Sequence, residues 1–81
     1  MGSFSADQLR ELAVAYCAAT GISLSLLGER AAGNYRMFVR LADGYGCTLD
    51  CAERATRWFL DNWPKGTPWP ASVPKPRKVA A

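Results

Sequence analysis

The stretch Ser23-Leu24-Ser25-Leu26-Leu27-Gly28-Glu29-Arg30-Ala31-Ala32-Gly33-Asn34-Tyr35-Arg36-Met37-Phe38-Val39-Arg40-Leu41-Ala42-Asp43-Gly44 decides how this chain folds. Leu24, Leu27 and Ala31 fall on one side of a helix over 24 to 32, with Ser23 as its cap. Gly33 supplies a turn, and Asn34 is a cap for the next helix. From 35 to 43 the apolar residues Met37, Phe38, Leu41 and Ala42 recur at helical spacing, while Arg36 and Arg40 sit four apart on the opposite face. Gly44-Tyr45-Gly46 breaks that second helix. Two short helices joined by a tight glycine-containing turn have the pattern of a helix-turn-helix. Such a unit needs an apolar anchor in its first helix, a small residue where the helices cross, a turn, and two inward apolar residues three apart. Leu27, Gly28, Ala32-Gly33 and Phe38 with Leu41 fill those places in order.

Upstream, Ser5-Ala6-Asp7-Gln8 has capping-box spacing, and Leu9, Leu12, Ala13, Tyr16 and Cys17 continue it as one helical face. These residues predict a first helix over about 6 to 19, stopping before Gly21. Downstream, Thr48 or Asp50 caps another helix, and Asp50 with Glu53 repeats the capping-box spacing. Leu49, Ala52, Ala55, Thr56, Phe59 and Trp63 form its buried side, with Trp58 also assigned to the core. Pro64 closes it. Beyond, Pro64, Pro68, Pro70, Pro74 and Pro76 leave too few backbone donors for helix or sheet, so an extended or polyproline-like end is expected, with Trp69 alone folding back. No alternating run is long enough for a strand. The expected architecture is all-α: a domain of four to five helices over 1–63, then a Pro-rich basic tail over 64–81.

The chain has 81 residues, 49% hydrophobic and 21% charged, with a net charge of +3 and no histidine. That is one small domain with room for one site. Without histidine the commonest general base and zinc ligand are missing, and no enzyme, cofactor or metal is expected. Cys47 and Cys51 have chelate-like spacing, but Cys17 is the only other sulfur from cysteine, so all three are expected as reduced, partly buried thiols. No run approaches the roughly 18 apolar residues of a membrane span, and the N-terminus lacks a signal-peptide pattern, which predicts a soluble, cytoplasmic protein with no membrane partner. Arg10 and Arg30 are outnumbered by Asp7, Glu11 and Glu29 in the first third, so the positive excess lies wholly after residue 34. That distribution suits a nucleic-acid partner.

Residues 23 to 44 resemble the lambda-repressor-like (Cro/repressor, Xre-type) helix-turn-helix family. Leu27-Gly28-Glu29-Arg30 is similar to its usual Leu-Ala-x-Arg, and Cys47-Thr48-Leu49-Asp50-Cys51-Ala52-Glu53-Arg54 to the start of its next helix. The chain departs from the family in Gly28 where alanine is usual, in a turn reading Ala32-Gly33, and in a loop before Thr48 one residue shorter. Trp58-Phe59-Leu60-Asp61-Asn62-Trp63-Pro64 is similar to the ending of small phage-associated bacterial regulators. The resemblance implies that the helix over 35 to 43 enters the DNA major groove, with Asn34, Tyr35, Arg36 and Arg40 outward. Arg36 or Arg40 suits guanine O6 and N7, and Asn34 suits adenine or a phosphate. Ser23 and Ser25 would meet the backbone at the start of the preceding helix. Lys75, Arg77 and Lys78 would add sequence-independent affinity.

Each residue also has a plainer role: Arg36 and Arg40 as solvated surface, Asn34 as a structural cap, Tyr35 as a packed helix-start aromatic. A second register is open as well, in which Cys17 to Ser23 begins the unit and the helix over 24 to 32 is the reader. It would offer Leu24 and Gly28 to the groove. The sequence therefore predicts a repressor-like transcription regulator that binds double-stranded DNA, as a homodimer on two-fold related half-sites. The alternative is a small protein-interaction adaptor or inhibitor of phage origin that takes a protein partner through its Pro-rich tail.

Overall fold

Local chain chemistry sets four helices in the computed structural model, which describes residues 3–73: α1 (Ala6–Thr20), α2 (Leu24–Ala32), α3 (Met37–Ala42) and α4 (Leu49–Asn62). Among the described residues there is no strand, and the fold is all-α. The expected capping box opens α1: Ser5 Oγ accepts from the Gln8 amide, and Gln8 Oε1 accepts from the Ser5 amide at 2.9 Å. Phe4, just ahead of the cap, is buried together with Leu9 in the helix, the placement of a hydrophobic staple. Ser23 caps α2 through the Leu26 amide at 3.1 Å, and the axes of α1 and α2 differ by 114°. Neither is long and apolar enough to cross a membrane, nor is any other helix among the described residues.

Between α2 and α3 the backbone is crowded. An ideal Cβ placed on Gly28 would lie 2.4 Å from the Asn34 carbonyl oxygen, so only glycine fits that crossing. The Asn34 amide donates to the Gly28 carbonyl at 3.2 Å, and its own carbonyl accepts from the Met37 amide at 3.1 Å. Gly33, at φ +67, reverses the chain there. α3 is shorter than the expected 35 to 43. Asn34 Oδ1 accepts from the Arg36 amide at 3.0 Å, so the chain makes a side-chain-closed turn before the helix begins. Arg36, with no side-chain cap bond, is then the flanking residue, and Asn34 is not the cap of α3.

Of the two candidate caps for α4, Thr48 serves: its hydroxyl accepts from the Cys51 amide at 3.2 Å. Asp50 instead pairs with Arg54 at 3.4 Å, an exposed contact worth little. Ala52, Ala55, Thr56 and Phe59 are buried as expected, but Leu49 is 68% exposed. The neighbouring residues 43 to 46 are themselves exposed and give it nothing to pack on. Ala42, expected inward, is likewise exposed.

Aromatic rings fill much of the core. Phe59 is fully buried and lies 5.6 to 6.0 Å from the rings of Phe38, Trp58, Tyr16 and Trp63. Residues 64–73 depart from the extended expectation: they make turns, closed by Thr67 donating to the Pro64 carbonyl and Val73 to the Pro70 carbonyl. Prolines withhold donors, but the segment keeps its carbonyls, and two indoles use them. Trp63 Nε1 donates to the Thr67 carbonyl at 2.9 Å, and Trp69 Nε1 to the Val73 carbonyl at 2.8 Å. Trp69 folds back as expected, 4.8 Å from Trp63 and 5.9 Å from Phe4. Val73, unforeseen, is also in the core, and the Ser72 hydroxyl donates to the Glu11 carboxylate. This strap ties α1 to the end of α4.

Candidate nucleic-acid interface

Burying Met37, Phe38 and Leu41 turns the rest of α3 outward. Arg36, Val39 and Arg40 then share an exposed face, flanked by Tyr35 before the helix and Tyr45 after it. With Ser25 from the first turn of α2 and Asp43, these residues line one open depression of about 450 Å³. Four residues singled out from the sequence, Ser25, Tyr35, Arg36 and Arg40, are thus brought together.

Charge is available there. Among the described residues Arg36 and Arg40 pair with no carboxylate, whereas Arg10 is held by Asp7 at 2.6 Å and Arg54 by Asp50. The Arg40 guanidinium lies over the Tyr45 ring, 5.2 Å from its centroid. A guanidinium held over a ring is partly constrained, and here no carboxylate among the described residues pairs with it.

The other sequence candidates are placed differently. Asn34 is exposed but its Oδ1 is engaged by the Arg36 amide, and it lines a neighbouring depression with Met37, Arg40, Gly46, Cys47, Thr48 and Cys51. Arg40 borders both depressions. Ser23 spends its hydroxyl on capping α2. Lys75, Arg77 and Lys78 lie outside the described residues.

Sequence reading missed Val39, Asp43 and Tyr45. Val39 carried a signal: it is an apolar residue three positions from Arg36 and adjacent to Arg40, on the polar side of α3. Its 39% exposure leaves a methyl surface suited to the C5-methyl group of thymine. Asp43 falls one turn past Val39, where a carboxylate can accept from cytosine N4 but repels phosphate. Tyr45 lay in a loop, where no periodicity marks a residue.

The three cysteines are free thiols, each half-buried. Burial pushes the Cys17 thiol up from its ordinary value; burial, then the nearby Cys51, does the same to Cys47. A raised thiol is protonated at neutral pH, which weakens it as nucleophile and as ligand. Among the described residues no group of three or more cysteine or carboxylate side chains is placed to hold a metal ion.

The fold is that of a small four-helix domain, and the site is an exposed arginine-bearing face of its third helix. No protein-family model, curated protein or solved structure matches the chain.

Proposed function

We propose that this chain is a sequence-specific, double-stranded DNA-binding transcription regulator of repressor-like type, with α2, the turn at Gly33-Asn34 and α3 acting as a helix-turn-helix. The outward face of 35 to 43 enters the major groove. Arg36 and Arg40 fork onto guanine O6 and N7, Ser25 meets a backbone phosphate near the start of α2, and Tyr35 borders the groove. Lys75, Arg77 and Lys78 add salt-dependent affinity. Two copies on a two-fold related site supply specificity that one module lacks.

One observation carries this reading: the depression beside α3 gathers Ser25, Tyr35, Arg36 and Arg40, with neither arginine paired to a carboxylate among the described residues. A reader helix over 24 to 32 draws less support. It would offer Gly28 to DNA, yet Gly28 is buried under the Asn34 carbonyl.

The test is a gel shift of the full chain against the DNA immediately upstream of its own coding sequence and against a scrambled duplex, at two salt concentrations. Preferential binding to the natural duplex that weakens steeply with salt is expected. Equal binding to both duplexes, or none, would overturn the proposal and leave the protein-interaction reading.

A further inference from the structure

α3 ends in a tightly specified way. The Gly44 amide donates to the Leu41 carbonyl at 3.0 Å and the Tyr45 amide to the Arg40 carbonyl at 2.9 Å, with Gly44 at φ +93. This is the paired-bond helix stop of Schellman type, in which the residue after the glycine touches the one five positions before it. That contact is ordinarily between two apolar side chains. Here it is Tyr45 beneath Arg40, ring to guanidinium at 5.2 Å.

We infer that Tyr45 is a positioning residue that presents Arg40 to a guanine in the major groove. The inference rests on the DNA-reading role proposed above. A free arginine side chain is long and rotamer-rich, and ordering it on binding costs affinity. Tyr45 removes part of that cost beforehand. Its backbone amide is bonded to the Arg40 carbonyl, so the two residues are tied at both main chain and side chain. Among the described residues no hydrogen bond or ion pair of the protein engages the Arg40 guanidinium, leaving the fork that matches guanine O6 and N7. Asp43, which lines the same depression, makes no ion pair with Arg40, so among the described residues no carboxylate competes for that fork. Tyr45 itself is 59% exposed, so its ring is not needed to fill the core.

The experiment uses the full chain as wild type, Tyr45→Phe, Tyr45→Leu and Arg40→Ala. Sites are selected from a pool of random-sequence duplexes, and the guanine whose preference Arg40→Ala abolishes is then replaced by 7-deazaguanine. Wild type and Tyr45→Phe, which both keep the ring face, are expected to select the same site and to lose roughly tenfold in affinity on the replacement. Tyr45→Leu keeps an apolar contact at the helix stop but no ring. It is expected to bind the site several-fold more weakly and to respond little to the replacement. In the free protein, proton NMR should show the Arg40 side chain shifted upfield by the ring in wild type and Tyr45→Phe but not in Tyr45→Leu.

Undiminished guanine preference in Tyr45→Leu, or no ring-current shift at Arg40 in wild type, would overturn this inference while leaving DNA reading intact. Selection of no sequence by wild type would overturn the DNA-reading role, and this inference with it.

Discussion

The α2–α3 turn and the aromatic cluster around Phe59, which Phe38 of α3 joins, are shaped by different physics. At the turn the main chain sets the geometry: a carbonyl presses on Gly28 and Gly33 reverses the chain, while Leu27, Phe38 and Leu41 enter the shared core and the outer side chains of α3 are left free. In the cluster, side chains set it: Phe59 sits among four rings, two indoles bond to carbonyls of the strap, and Val73 plugs the core. The contrast teaches a division of labour. A turn fixed by backbone can spend its outward polar side chains on a ligand, provided that the core shared by all four helices supplies the cohesion.

That comparison breaks if the aromatic cluster proves dispensable. Phe59→Ala removes a fully buried ring and should cost about 3–5 kcal/mol. Total domain stabilities are on the order of 5–15 kcal/mol, so a loss of this size should lower the chemical-denaturation midpoint by a large fraction. A loss under about 1 kcal/mol, well below the usual range for such a truncation, would contradict the assignment of cohesion to that core.

Gly28→Ala sharpens the comparison from the corner. Alanine gains roughly 0.5–1 kcal/mol of helix preference over glycine, but its methyl must displace a backbone carbonyl, which overpacking experience puts at about 1–3 kcal/mol. Net destabilisation is therefore expected, and the displaced carbonyl should shift α3. Circular dichroism melts with tryptophan fluorescence would check it: a lower Tm with native-like fluorescence from Trp58, Trp63 and Trp69. An unchanged or higher Tm would show that the corner has slack.

A smaller effect tests the link between the ends of the chain. Thr56, 8% exposed, accepts from the Phe4 amide at 2.9 Å and donates to the Ala52 carbonyl at 2.7 Å. Thr56→Val keeps the shape and strands the Phe4 donor, which should cost about 1–2 kcal/mol. Amide exchange should localise the loss to residues 3–5 and the start of α1. Uniformly unchanged exchange would remove Thr56 from the account.

Legibility in the sequence divides along the same line. The Ser5–Gln8 box, the Ser23 cap, the stop at Gly33 and the inward Phe38–Leu41 pair obey short-range rules, and each appears where the residues put it. Asn34 misled because one side chain can either cap a helix or close a turn before it, and the choice depends on the crowding at Gly28. The Ser72–Glu11 contact leaves no local sequence signal, since it joins residues 61 positions apart, and Val73 is buried by the fold rather than by any helical periodicity. Of the candidate site, helical spacing gave Arg36 and Arg40; Ser25 and Tyr35 were found through the helix-turn-helix resemblance. Tyr45 escaped because its role depends on the helix stop after α3, which periodicity does not describe.

On the proposed function, Arg40 reads a base without holding the fold together. The direct test is Arg40→Ala, with affinity for the selected duplex and unfolding free energy measured on the same protein. Sequence preference is expected to be lost while stability stays within about 1 kcal/mol of wild type, the scale of losing one exposed ring contact. Unchanged discrimination between specific and scrambled duplex would contradict this role.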